Sequence, residues 1–90
     1  MALVILKLKV MPISPEVNLD KIKETAKREL GNIGTKIHAS EIEPVAFGLN
    51  ALILTVTLPE EKDPGLVEET IMKIENVQSV SVIDFRRAFG

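Results

Sequence analysis

The sequence predicts an α+β sandwich in which two helices cover one face of a four-stranded antiparallel sheet. Three observations carry that prediction. Apolar residues alternate with period two along the first and third of four strand-like stretches, they recur at helical spacing in two others, and the stretches follow one another as β-α-β-β-α-β. A chain of 90 residues is read as one domain spanning 1–90, because half that length could not bury a core large enough to offset its folding entropy.

From Leu3 to Met11, Val4, Leu6, Leu8 and Val10 fall on one side and Leu3, Ile5, Lys7 and Lys9 on the other, the pattern of a strand with one wholly apolar face. Pro12 and Pro15 then enforce a turn. Asn18 is placed to cap a helix whose apolar stripe is Leu19, Ile22, Ala26 and Leu30. Gly31 stands just past the stripe, so the first helix is predicted over Leu19 to Leu30 with Gly31 closing it. Gly34 to Ile42 reads as a weaker strand. Leu52 to Leu58 is a strong one, with Leu52, Leu54, Val56 and Leu58 on one face and Ile53, Thr55 and Thr57 on the other. A turn at Phe47-Gly48 joins the two. Asp63 caps a second helix with Pro64 at its first position, and Leu66, Val67, Thr70, Ile71 and Ile74 form its amphipathic stripe until Asn76 ends it. In the last strand, Val77 to Arg87, Val80 and Val82 share a face while Ile83 and Phe85 fall on the opposite one, so alternation leaves its burial open.

This order, with helices of about 12 residues, is the split βαβ pattern of ferredoxin-like folds. Right-handed crossovers make the two strands of each βαβ unit parallel, with one antiparallel strand between them, and interlocking the units gives the sheet order 4-1-3-2. The first two strands run the same way, so the Phe47 turn belongs at the end where the first strand finishes, near Lys9 and Met11. The last strand runs the other way and delivers Phe85, Arg86 and Arg87 to the far end, about 25–30 Å away. No small-molecule pocket uses both ends; a large partner spanning the molecule does.

Composition removes most chemistry. The chain has no cysteine, tryptophan or tyrosine, a single histidine and three phenylalanines. Disulfides, thiolate zinc sites, redox pairs and a Cys-x-x-Cys metal chaperone are thereby excluded, which fits a reducing compartment and makes the cytoplasm the expected location. The run Ala2-Leu3-Val4-Ile5-Leu6 is interrupted by Lys7 and Lys9 and is too short to span a bilayer. Apolar residues make up 46%, charged residues 27%, and the net charge is −2, so a nucleic-acid partner would need a local basic patch. His38 lacks a second histidine or a suitably spaced carboxylate and reads as a solvated strand residue. Glu60-Glu61 and Glu68-Glu69 read as solvated carboxylates. Gly31-Asn32-Ile33-Gly34 follows a helix and carries no Lys-Ser/Thr, so it is not a phosphate loop. No catalytic residue, metal ligand or cofactor is assigned. Phe47, flanked by Ala46 and Gly48, has two readings: a satellite core residue closing the hairpin, or an anchor for a partner. Arg86-Arg87 is either a solvated pair or a charged contact.

Three blocks bear on those alternatives: Lys9-Val10-Met11-Pro12 followed by Ser14-Pro15-Glu16-Val17; Pro44-Val45-Ala46-Phe47-Gly48-Leu49; and Val77-Gln78-Ser79-Val80 leading to Asp84-Phe85-Arg86-Arg87. In this order they resemble the short archaeal translation elongation factor 1-beta family, over the whole chain. The resemblance implies a ferredoxin-like guanine nucleotide exchange factor, not an enzyme, acting on the GTPase elongation factor 1-alpha without a cofactor, a membrane or direct contact with nucleic acid. It further implies partner-binding roles for Ala46, Phe47, Gly48, Leu49, Arg86 and Arg87. In the eukaryotic relatives the phenylalanine matching Phe47 docks on the second domain of the GTPase. A lysine near the C-terminus, whose place falls on Arg87, disturbs the magnesium site. Arginine there is a departure, being planar and more weakly hydrated than an ammonium.

The main rival is an RNA-binding module, because the RNA recognition motif shares this topology. It stacks bases on aromatics of its central strands, and this chain offers none there, only Lys7, Lys9, Arg86 and Arg87 for phosphates. A second rival is a small-molecule regulatory module dimerising through the open apolar positions Ile5, Ile53 and Ile83.

Overall fold

The computed structural model describes residues 2–89, with side chains described as far as Arg87. The chain forms β1 (Ala2–Pro12), α1 (Leu19–Asn32), β2 (Lys36–Pro44), β3 (Asn50–Pro59), α2 (Pro64–Met72) and β4 (Val77–Phe89). The sheet order is β2-β3-β1-β4 with every neighbouring pair antiparallel, the predicted ferredoxin-like arrangement. Among the described residues no helix is long and apolar enough to cross a membrane.

The apolar face of β1 meets that of β3 in register, Leu6 opposite Val56 and Leu8 opposite Leu54. With Leu19, Ile22, Ala26 and Leu30 of α1 and Val67 and Ile71 of α2 these side chains form one buried core. Asn18 caps α1, its side-chain oxygen accepting from the Asp20 N–H at 2.9 Å. Asp63 does the same for α2 through the Gly65 N–H at 2.9 Å.

Four details depart from the sequence expectation. The helix α1 runs through Gly31 to Asn32, and the left-handed residue that ends it is Gly34, at φ 78°. The Leu30 carbonyl accepts the Thr35 N–H at 3.0 Å and the buried Thr35 hydroxyl at 2.9 Å, so bonds formed across the loop carry the helix past the glycine that looked like its stop. The second helix stops at Met72 after nine residues, shorter than the ~12 anticipated from periodicity. Ile74 still reaches the core from the following turn, in which Asn76 takes φ 73° and its carbonyl accepts the Ile13 N–H at 3.0 Å.

The third departure is a bulge in β4. Leu8 pairs with Val82 but Lys7 with Asp84, leaving Ile83 as the extra residue. A single inserted residue resets the alternation, so Phe85 lies opposite Leu6 on the helix side of the sheet, rather than opposite in face to Val80 and Val82. The fourth lies on the helix-free face. Ile53, read as an open apolar position for dimerisation, is only 5% exposed. It is flanked in register by Lys9 and Glu41, and the 3.9 Å ion pair of Lys9 with Glu43 reaches diagonally across β3 beside it. The chain covers this isoleucine with its own charged side chains, whose stems are apolar.

Candidate functional site

The loop between β2 and β3 is tighter than composition alone suggests. The Leu49 N–H donates to the Ala46 carbonyl at 2.9 Å and the Val45 N–H to the Leu49 carbonyl at 2.9 Å. Both central residues have positive φ, 55° at Phe47 and 76° at Gly48, as in a type I′ turn. Glycine accepts that conformation freely. For a bulky L-residue it costs roughly 1–2 kcal/mol. Phe47 meets this strain while its ring is 98% exposed. The satellite-core reading is thereby excluded, because nothing among the described residues buries Phe47.

A residue that is both strained and solvated destabilises the free protein, and the turn provides a direct test. Phe47→Gly relieves the left-handed strain and gives back about 0.5–1 kcal/mol as unfolded-state entropy. The expected result is an equal or higher melting temperature, by up to a few degrees, about 4–8 °C per kcal/mol in a domain of this size. A drop of several degrees in thermal denaturation would mean that the ring packs on its own chain.

Neighbouring apolar groups enlarge the patch. Ile42, opposite Leu52 near the end of β2, is 55% exposed, and Val45 is also exposed. Sequence reasoning missed both, although Ile42 alternates with Ser40 and Pro44 on the side of the strand away from Glu41 and Glu43. Ala46 and Gly48 are exposed and Leu49 is half-buried. Their geometric part is to close the turn that presents Phe47.

The second end of the site is on β4. Arg87 lies opposite Val4 and Arg86 opposite Ile5, so successive arginines point to different faces of the sheet. Each is held by a carboxylate: Arg86 Nε to Asp84 Oδ2 at 2.9 Å, and Arg87 Nη1 to Glu60 Oε1 at 3.3 Å. Glu60 is anchored in turn, its N–H donating to the Ala2 carbonyl at 3.2 Å. Arg86 and Arg87 are therefore two separate contacts rather than one patch. Glu60 was read only as a solvated carboxylate, and its pairing with Arg87 depends on strand register that local patterning does not reveal.

Strand register separates the two ends. Arg87 is level with Val4, while the Phe47 turn lies beyond Leu52, the partner of Val10. At the strand rise the separation is about 30 Å, within a molecule 42 Å long.

The family profile described as EF-1 guanine nucleotide exchange domain matches residues 5–88. The chain is similar to proteins called elongation factor 1-beta. That of Methanococcus maripaludis (strain C5) is 43% identical over 86 residues, covering 93% of this chain and 96% of that one. That of Staphylothermus marinus is 40% identical over 84 residues, 91% and 92% of the two chains. That of Haloarcula marismortui is 47% identical over 77 residues, 84% and 86%. Among solved structures, the full extracellular region of zebrafish Gpr126/Adgrg6 superposes with a TM-score of 0.53 at 6% identity, over 96% of this chain and 13% of that one. That likeness concerns the fold alone.

Proposed function

From the premise that the chain belongs to the EF-1 guanine nucleotide exchange family, we propose that it opens the nucleotide site of elongation factor 1-alpha by gripping two of its domains at once. As a member of that family it is a guanine nucleotide exchange factor of translation elongation, and exchange breaks no covalent bond. The observation that carries the two-domain reading is Phe47, strained, 98% exposed and some 30 Å from Arg87. In this reading Phe47, with Ala46, Gly48 and Leu49 shaping its turn, docks on the second domain of the GTPase. Arg87, seconded by Arg86, approaches the magnesium site of the nucleotide domain.

Magnesium bridges nucleotide phosphate oxygens and protein ligands in GTPases, so a cation and shifted loops pressed toward that site weaken GDP binding. Linkage makes the effect mutual: the factor lowers nucleotide affinity as much as nucleotide lowers affinity for the factor. GTP rebinding then expels the factor and completes the cycle. Arg87 must leave Glu60 to do this, and an exposed ion pair of about 0–1 kcal/mol is a small obstacle. The bare sheet face, without aromatics in β1 or β3, disfavours the RNA-binding alternative. The proposed compartment is the cytoplasm, where elongation takes place.

The test is the release rate of fluorescent GDP from the cognate elongation factor 1-alpha, chased with unlabelled GDP, across a range of concentrations of this protein. A saturable acceleration is expected; an unaltered rate with active, nucleotide-loaded GTPase would end the proposal. In the same assay Arg87→Ala should slow maximal GDP release by about tenfold, or ~1.4 kcal/mol, with a smaller loss in complex formation. Equal losses in both would reduce Arg87 to a docking contact.

A further inference from the structure

We infer that the cleft between α1 and β2 is a second docking point for the GTPase, one that receives carboxylate side chains of the same partner that takes Phe47. The cleft, about 180 Å³, is lined by Lys23, Lys27, Ile37, His38, Ala39 and Ser40. Lys23 and Lys27 are one turn apart and so share a side of the helix. His38 is the extra residue of a register shift between Ile37 and Ala39, and the shift brings its imidazole to the rim. Two lysines, a histidine and a serine therefore line the cleft together with Ile37 and Ala39, and among the described residues no aspartate or glutamate does. This is unexpected in a chain of net charge −2.

Neither lysine takes part in an ion pair among the described residues. Among the described residues the ion pairs use Lys9, Arg28, Lys73, Arg86 and Arg87. An anion in the cleft thus meets two free positive charges and a hydroxyl donor. The surroundings decide which kind of anion fits. Asp20 and Glu24 are exposed on α1, the helix that carries both lysines, whereas Glu41 and Glu43 point to the helix-free face of the sheet. A nucleic-acid strand, charged at every nucleotide, would meet the acids of α1 as it ran on along the helix. One or two carboxylates on a folded partner fit the short basic gap. Location supplies the second argument. Ser40 is four residues before Pro44 on the strand that leads into the Phe47 turn, so the cleft and the aromatic anchor lie on one edge, about 15–20 Å apart. A partner surface large enough to cover Phe47, Val45 and Ile42 extends to it.

The inference rests on the exchange-factor reading, and the experiment separates the two. Association of the intact protein with elongation factor 1-alpha is followed by stopped-flow at several ionic strengths for wild type, Lys23→Gln/Lys27→Gln, Lys23→Glu/Lys27→Glu and Phe47→Ala. Melting curves confirm that the lysine variants, altered only at the surface, remain folded. Charge reversal is expected to slow association by about tenfold and flatten its salt dependence, with neutralisation intermediate. Wild-type rates and salt slope in both lysine variants, alongside a loss for Phe47→Ala, would overturn the cleft assignment and leave the exchange reading standing. No loss in any variant would remove both. A mixed-sequence single-stranded RNA serves as control: binding by wild type that disappears in Lys23→Gln/Lys27→Gln, with GTPase association untouched, gives the cleft to nucleic acid and overturns the inference.

Discussion

Phe47→Ala is expected to weaken association with elongation factor 1-alpha by about 2–4 kcal/mol, roughly 30- to 1,000-fold in Kd, while leaving the melting temperature nearly unchanged. The size follows from what the ring does in each state. In the free protein it is 98% exposed, so its truncation removes no internal contact and costs the fold little. In the complex a fully covered aromatic loses its entire contact area on truncation, and the pocket on the partner is left unfilled. Alanine keeps the strained left-handed backbone, whereas glycine relieves it. Both variants should bind poorly, but only Phe47→Gly should gain stability. Calorimetric titration against the nucleotide-free GTPase measures the first effect and thermal denaturation the second. Binding within threefold of wild type, or a large fall in melting temperature for Phe47→Ala, would refute the anchor.

The other large effect lies in the core. Leu6→Ala should destabilise the fold by about 2–5 kcal/mol, the usual cost of a cavity left by a buried leucine. Leu6 is fully buried on β1, opposite Val56 on one side and Phe85 on the other, so strands on both sides limit how far the site can collapse. A domain of this size has about 5–15 kcal/mol in total. The variant should therefore unfold at markedly lower denaturant with an unaltered m-value. At low temperature, where it remains folded, its exchange activity should match wild type, because Leu6 is buried in the core and is not itself one of the proposed contact residues. A loss below about 1 kcal/mol would show that the layer packs more loosely than its burial indicates.

These two residues illustrate different degrees of legibility. Leu6 could be placed from sequence because Val4, Leu6, Leu8 and Val10 repeat with the period of a strand, and a face with no polar residue has to be buried. The helix starts were equally plain, since Asn18 and Asp63 satisfy orphan N–H groups one turn into the chain that follows them. Helix ends were less so. Gly31 looked like a stop, but the Leu30 carbonyl finds the Thr35 N–H and hydroxyl, and those bonds form only once the loop has folded back.

Phe47 marks the limit of local reasoning. Its neighbours leave a hairpin core and a partner anchor both open, and the exposure that speaks against the first is decided only once the chain has folded. The same holds for the face of Phe85, which a single extra residue at Ile83 reverses, and for the Arg87–Glu60 contact, which joins residues far apart in the chain. Element type, order and the apolar faces follow from interactions within a few residues, and the amino-acid pattern therefore carries them. Exposure, strand register and ion pairing arise from distant segments brought together. They are settled when the sheet assembles, because a one-residue shift in pairing changes every neighbour on that strand at no cost to its local pattern.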